Sequence, residues 1–201
     1  MNQTDVATAY DVLAEHWDSD QFNRQNGISA HERALQFLKV RKRAIDIGCG
    51  CSGRFLDWFL QEGFVPEGLD FSSEMLQRAR RRHPDVLFHE ADVRDWVPAM
   101  QYDFVSAWDS VWHLPQMDQL TVYGKLVESL RPGGVLLTSA GGLDEPGESV
   151  GEFMEKPLFH ATPGVPALLA TFAKSGALIR HFEFDQFPEK HLCIIVQKPD
   201  L

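Results

Sequence analysis

The sequence predicts a doubly wound α/β fold, in which parallel strands alternate with helices in a single domain over residues 1–201. Short apolar runs alternate with amphipathic runs at helical spacing along most of the chain. A glycine-rich turn, with glycines at 48, 50 and 53, joins the first predicted strand to a predicted helix. The second predicted strand ends in Asp70, and doubly wound sheets carry an acidic residue at this position.

Composition and charge limit the classes of function. The chain is 44% hydrophobic and 24% charged, which is ordinary for a globular protein, and no apolar run reaches the length of a membrane span. The formal net charge of −10 disfavours nucleic acids and membrane surfaces as partners. Three cysteines, an odd number, argue against a disulfide framework, and the first residues lack the features of a secretory signal. We therefore expect a cytoplasmic protein that acts on a small-molecule substrate.

Residues 1–40 predict a helical cap ahead of the first strand. Apolar side chains recur at helical spacing over 5–19, and a second helix is predicted over 29–40. Tyr10 and Trp17 lie on the first of these helices. Two interpretations are open for them: the helix packs against the domain, or it closes over a bound ligand.

The glycine turn follows a short apolar strand, Ala44–Ile47, and precedes an amphipathic helix that ends near Gly63. Glycines let the backbone adopt positive φ and approach a ligand closely, because no Cβ intervenes. The first N–H groups of the helix face the same space. Asp46 lies in the strand, two residues before the first glycine, where a phosphate-binding turn has little use for a carboxylate. A ligand that bears a cation is therefore expected.

Acidic residues also follow the next two predicted strands. Asp70 ends the second strand, where its carboxylate can accept hydrogen bonds from both hydroxyls of a ribose. Phe71 beside it can pack on the base, and a helix that carries Met75 follows. Asp92 lies just past the third strand and can either accept a hydrogen bond from an exocyclic amine or cap a turn.

The fourth predicted strand, over 102–107, leads into a segment of aromatic and titratable side chains, which we interpret as a substrate wall: Trp108, Asp109, Trp112 and His113. Beyond the fifth strand, residues 140–160 are rich in Gly, Pro, Glu and Asp and predict a long surface loop. With the helix predicted over 162–174, the segment 140–175 is expected to shape the substrate pocket. Two closing strands bring the predicted number to seven.

Five motifs in this order resemble the class I S-adenosylmethionine-dependent methyltransferases over nearly the whole chain. They are Ile-Asp-Ile-Gly-Cys-Gly, Gly-Leu-Asp-Phe-Ser-Ser-Glu-Met-Leu, Glu-Ala-Asp-Val, Tyr-Asp-Phe-Val-Ser-Ala and Leu-Arg-Pro-Gly-Gly-Val-Leu-Leu. The resemblance implies a Rossmann-like, doubly wound sheet of seven strands, mostly parallel with an antiparallel last strand, and helices on both faces. It also implies S-adenosyl-L-methionine as the cofactor and S-adenosyl-L-homocysteine as the product.

The resemblance implies a set of cofactor-binding residues. Gly48, Cys49 and Gly50 would hold the methionine part, and Asp46 would lie near its ammonium group. The third glycine, Gly53, sits one position later than in the usual family turn, which favours a role in helix packing. The complete implied set is Asp46, Gly48, Cys49, Gly50, Asp70, Phe71, Met75, Asp92, Val93, Ala107 and Trp108.

The implied chemistry is an in-line displacement at the methyl group of a sulfonium, for which the protein supplies alignment and exclusion of water. A base is needed only if the nucleophile carries a proton. His113 is the best candidate for that base, because an imidazole titrates near working pH. Packing against the next helix is an open alternative for it. The substrate candidates, chosen on position and chemistry, are Tyr10, Trp17, Asp109, Trp112 and His160.

Two other function classes are compatible with parts of the sequence. A nicotinamide-dependent oxidoreductase would share the glycine turn and the acid after the second strand, but the chain has no Tyr-x-x-x-Lys pair. A binding protein for S-adenosylmethionine without turnover would share all the cofactor residues. A metal site at the Cys49-x-Cys51 pair is disfavoured, because no second ligand cluster lies nearby.

Overall fold

The computed structural model of the chain describes residues 3–19, 22–154 and 156–200. The helices in this part are α1 (Gln3–Trp17), α2 (Ile28–Leu35), α3 (Arg54–Gln61), α4 (Ser73–Arg82), α5 (Gln116–Glu128) and α6 (Val165–Lys174). The strands are β1 (Arg43–Ile47), β2 (Val65–Asp70), β3 (Leu87–Glu90), β4 (Tyr102–Ala107), β5 (Leu130–Gly141), β6 (Gly147–Phe153), β7 (Lys156–Thr162), β8 (Leu178–Glu183) and β9 (His191–Gln197).

Seven strands form one twisted sheet in the order β3-β2-β1-β4-β5-β9-β8. Strands β1 to β5 pair in parallel, and β9 pairs antiparallel with both β5 and β8. The order reverses direction between β1 and β4, which is the place where open α/β sheets bind ligands. The predicted Rossmann-like fold with an antiparallel last strand is confirmed.

Helices cover both faces of the sheet and bury its central strands, whereas the edge strands β3 and β8 are largely exposed. On one face, α5 and α6 pack their apolar side chains, among them Tyr123, Leu126 and Phe172, against the sheet. On the other face, α2 and α3 pack around Phe104, with Phe55 and Phe59 fully or almost fully buried. Strands buried on two sides read as continuous apolar runs, as β9 does from Leu192 to Val196. Among the described residues, no helix combines the length and apolarity that a membrane crossing requires.

The expectation of a long loop over 140–160 is wrong. Strands β6 and β7 form an antiparallel hairpin of their own, which pairs Gly147 with Thr162. The prediction failed because β6 contains glycine and glutamate in place of an alternating apolar pattern. The hairpin is anchored instead by β7, where Leu158 is buried against Leu13 of α1.

Candidate functional site

The carboxyl ends of β1, β2 and β4 open into a cavity of about 380 Å³, which lies at the point where the strand order reverses. Helix α1 and the β6–β7 hairpin form its outer wall, through Tyr10, Trp17, Leu158 and His160. Helix α1 is itself tied to α4, because Asp18 forms ion pairs with arginines of that helix. The helix therefore packs against the domain and lines the cavity at the same time.

The glycine turn forms the floor of this cavity. Gly48 and Gly50 have φ of 74° and 55°, values that favour glycine. The N–H groups of Gly48 and Cys49 donate to the Leu69 carbonyl at 2.7 and 3.0 Å, which fixes the turn to the end of β2. Gly53 lies outside the cavity and packs against His83, since a Cβ added there would lie 2.4 Å from the imidazole.

Asp46 lines the cavity from β1 although its side chain is almost completely buried. Burial disfavours the charged form and raises the pKa of this carboxyl to about 7, while the Arg54 guanidinium acts in the opposite direction. An ammonium group placed beside Asp46 would favour its ionised form. The site is thus suited to a ligand that carries a positive charge.

Asp70 is fixed by two backbone N–H groups at the end of β2. One carboxylate oxygen accepts from Gly50 and the other from Ser72, both at 2.9 Å. Each oxygen keeps a second lone pair, because an ionised carboxylate offers about four acceptor positions. The carboxylate is therefore oriented in advance and can accept two further hydrogen bonds, as a pair of ribose hydroxyls requires.

A smaller apolar cavity adjoins the larger one and shares Gly48 and Asp70 with it. Its lining includes Phe71 and Val93, together with Val111 and Leu114 from the segment after β4. A flat aromatic base fits such a lining by apolar contact. This cavity lies where the resemblance places the adenine.

Two of the eleven implied cofactor residues line neither cavity. Asp92 accepts hydrogen bonds from the backbone and guanidinium of Arg94, both at 2.8 Å, so its carboxylate caps the turn after β3. Ala107 is fully buried in the core. The other nine line one of the two cavities or both.

His113 lies at the outer end of the larger cavity, in a network that defines its tautomer. Its Nδ1 is 2.7 Å from the Phe159 carbonyl, which only accepts, so Nδ1 carries the proton. Its Nε2 therefore accepts, from the Tyr10 hydroxyl at 2.7 Å and the Trp112 indole N–H at 3.2 Å. Burial lowers the pKa of His113 to about 4, so the ring is neutral with its lone pair bound to Tyr10.

Asp109 lines the cavity in a left-handed conformation, with φ of 54°, which is strained for a residue with a side chain. One oxygen accepts from Ser139 and from His191 Nε2, both at 3.1 Å. The other ring nitrogen of His191 lies 2.5 Å from Asp185. Burial alone would lower the pKa of His191, but the two carboxylates outweigh it and raise that pKa. The protonated form of His191 is thus favoured behind Asp109.

Arg54 is a further charged residue of the cavity that sequence analysis did not single out. It begins α3, and its guanidinium stacks over Phe22 and Phe55 at 4.9 and 4.3 Å from the ring centroids. A sequence signal for it exists, because the helix dipole disfavours a cation in the first turn. His191 gave no such signal, since it is brought to the site only by the pairing of β9 with β5.

All five substrate candidates, Tyr10, Trp17, Asp109, Trp112 and His160, line the larger cavity. The aromatic rings are close to one another, with the centroids of His113 and His160 at 4.8 Å and those of Tyr10 and His113 at 5.3 Å. Among the described residues, no group of three or more His, Cys, Asp or Glu side chains is arranged to hold a metal ion.

Comparisons of the sequence and the fold with known proteins identify the family of this chain. A family model described as "Methyltransferase domain" matches residues 19–197. The trans-aconitate 2-methyltransferase of Azoarcus sp. is 35% identical over 129 residues, which are 60% of this chain and 49% of the relative. The dTDP-3-amino-3,4,6-trideoxy-alpha-D-glucopyranose N,N-dimethyltransferase of Streptomyces venezuelae is 35% identical over 95 residues, which are 46% of this chain and 40% of the relative.

The fold is also similar to that of solved methyltransferases. The 1,6-didemethyltoxoflavin-N1-methyltransferase of Burkholderia thailandensis, solved with 1,6-didemethyltoxoflavin and S-adenosylhomocysteine, superimposes with a TM-score of 0.75 at 16% identity. The superposition covers 98% of this chain and 88% of that protein. The chain spans about half the length of the curated relatives it matches. From the matched family model, the motifs and the fold, the chain belongs to the class I S-adenosylmethionine-dependent methyltransferase family.

Proposed function

We propose that the protein transfers a methyl group from S-adenosyl-L-methionine to a small-molecule acceptor. The observation that carries the proposal is the pair of adjoining cavities, which share Gly48 and Asp70. One is small and apolar, and the other is larger and lined by aromatic and titratable side chains. The relatives support a small acceptor, since their names refer to trans-aconitate, an amino sugar nucleotide and 1,6-didemethyltoxoflavin.

The cofactor fits the residues present. Asp70 keeps two acceptor positions for the ribose hydroxyls, and Phe71 and Val93 line the cavity that suits the adenine. Gly48 lets Ser110 lie directly against the turn, because a Cβ there would lie 2.4 Å from the Ser110 side chain. Asp46 would hold the ammonium group. When bound, the cofactor supplies a methyl group that is already activated as a sulfonium, so the protein needs mainly to align the acceptor and exclude water.

The acceptor would occupy the outer part of the larger cavity, between α1, the hairpin and the segment after β4. Tyr10, Trp17, Trp112 and His160 give this part an aromatic lining, which suits a partly apolar or planar molecule. His113 is the candidate base. Its Nε2 lone pair can take a proton from the acceptor directly, or through the Tyr10 hydroxyl that it now binds.

The proposal is tested by calorimetric titration with S-adenosylmethionine, S-adenosylhomocysteine and NADH, on the wild type, Asp70→Asn and the exposed Asp85→Asn as matched control. We expect micromolar binding of the two sulfur nucleosides to the wild type and the control. Asp70→Asn should weaken both by tenfold or more, because an amide replaces one acceptor oxygen with a donor. Binding of NADH alone would contradict the proposal. Methylated products are then sought by mass spectrometry, and a protein that binds without any turnover would be a non-catalytic member of the family.

A further inference from the structure

Three buried hydrogen-bonding groups in the wall of the larger cavity have no partner in the part of the chain that the structure describes. They are Nη1 of Arg54, Nε1 of Trp108 and Oγ of Ser110, and all three residues line the cavity. The first two can only donate a hydrogen bond, and the third can donate or accept. We call these three residues the donor cluster. A ligand that satisfies all of them must supply hydrogen-bond acceptors, such as the oxygens of a carboxylate.

The position of Arg54 is costly unless a ligand compensates for it. Its side chain is only 10% exposed, and its closest carboxylate oxygen, on Asp109, is 4.0 Å away. That carboxylate already accepts from Ser139 and His191, so its charge is shared. A buried guanidinium with an unmade hydrogen bond is destabilising, because it has lost water without gaining a full partner. The residue also stands at the start of α3, where the helix dipole opposes a cation.

Aromatic rings and glycines next to the donor cluster fix the positions of its side chains. The rings of Phe22 and Phe55 hold the Arg54 guanidinium by stacking and leave it little freedom to reach solvent. The Trp108 indole lies against Gly27, beside the same Phe55 ring. Ser110 lies against Gly48, at the floor of the cavity. The donor cluster thus borders one continuous space, with a fixed positive charge on one side.

We propose that the donor cluster is a carboxylate-binding subsite in which Arg54 pairs with the carboxylate of a bound ligand. This inference rests on the proposed function, and it names the chemical group that the cavity selects. Two sources can supply the carboxylate: the methionine part of the cofactor, whose ammonium group Asp46 would hold, or the methyl acceptor. A fork-shaped guanidinium with a carboxylate gives two parallel charge-assisted hydrogen bonds, which a lysine cannot reproduce.

The first arm of the experiment tests the cofactor as the source. S-Adenosylhomocysteine and methylthioadenosine share the nucleoside and the sulfur, but only the former has a carboxylate. Each is titrated into the wild type, Arg54→Gln, Arg54→Lys and Arg80→Gln, where the last removes an exposed arginine as the matched control. If the cofactor supplies the carboxylate, Arg54→Gln weakens S-adenosylhomocysteine by tenfold or more and leaves methylthioadenosine unchanged, and Arg54→Lys is intermediate.

The second arm tests the acceptor as the source. Benzoate and succinate are titrated into the protein saturated with S-adenosylhomocysteine, with benzamide and succinamide as uncharged counterparts. If the acceptor supplies the carboxylate, the acids bind the wild type and Arg80→Gln more tightly than their amides by tenfold or more. Arg54→Gln then abolishes that preference, while the affinity for S-adenosylhomocysteine stays the same.

The two proposals fail in different ways. If the wild type binds neither S-adenosylhomocysteine nor methylthioadenosine, the proposed function is wrong. If both nucleosides bind, but Arg54→Gln changes neither their ratio nor the preference for acids, the carboxylate subsite is refuted. Thermal unfolding of each variant checks the fold, and Arg54→Gln is expected to be as stable as the wild type, because it removes a buried charge that has no full partner. Arg54→Lys retains the charge and provides a second variant should the glutamine disturb the core.

Discussion

The buried carboxyl of Asp46 makes a quantitative prediction about stability. Its pKa is about 7 in the native state, against 3.8 for an ordinary aspartate. Because the native-state pKa is raised, the native protein keeps a proton that the unfolded chain loses, and its stability falls as pH rises toward 7. Each pH unit in that range costs about 1.4 kcal/mol. Between pH 5 and pH 8 the loss due to this one group is thus about 3 kcal/mol.

Asp46→Asn removes this loss, because an amide does not titrate. We expect the free energy of unfolding of the variant, minus that of the wild type, to rise by about 3 kcal/mol from pH 5 to pH 8. Urea unfolding followed by tryptophan fluorescence measures it, since the chain has 5 tryptophans. Asp85→Asn, at an exposed carboxylate, is the matched control. A difference in unfolding free energy between variant and wild type that stays constant within about 0.5 kcal/mol from pH 5 to pH 8 would refute the reasoning, because the expected change is about 3 kcal/mol.

Two further substitutions test the cavity. Gly48→Ala places a Cβ 2.4 Å from Ser110 at positive φ, whereas Gly63→Ala has a similar φ and an open surrounding. Both variants should lose about 1–2 kcal/mol of stability, because alanine is strained at positive φ. Only Gly48→Ala should lose affinity for S-adenosylhomocysteine in calorimetry. Equal losses of affinity in the two variants would contradict the proposal that the turn at Gly48 contacts the cofactor. Tyr10→Phe removes the shorter of the two hydrogen bonds to His113 Nε2, so the pKa of His113 should rise from about 4 while burial keeps it below 6.5. Histidine NMR titration measures it, and an unchanged pKa would exclude the hydrogen bond.

The fold was predictable because its signals are local. The apolar run, the glycine turn and the following helix lie within about 20 consecutive residues, and Asp70 follows at the end of the next strand. A helix also follows β2 and β4, so the alternation of strands and helices predicts the order of elements and the binding edge. The proposed cofactor residues share this property, since Gly48 follows β1, Asp70 ends β2 and Val93 lies three residues after β3.

The rest of the site depends on contacts that no local pattern encodes. His191 meets Asp109 across 82 positions of sequence, and Tyr10 meets His113 across 103. The hairpin over 147–162 escaped prediction because its strands gain stability from each other and from Leu158, not from an alternating apolar face. Asp92 shows the opposite error. Its place just past β3 suggests a contact with a ligand, but its carboxylate accepts a hydrogen bond from Arg94, two residues further along the chain.

The reversed direction of β9 determines how the two halves of the chain share the site. Because β9 runs against β5, its first residue, His191, pairs with Gly141 at the carboxyl end of β5. In a parallel arrangement that residue would stand at the opposite edge of the sheet, about 20 Å away. The connection from β8 to β9, which carries Asp185, therefore lies at the same edge of the sheet as the larger cavity. We therefore expect changes in this late segment to affect the Asp109 side of the larger cavity and to leave the smaller cavity, which the segment does not line, intact.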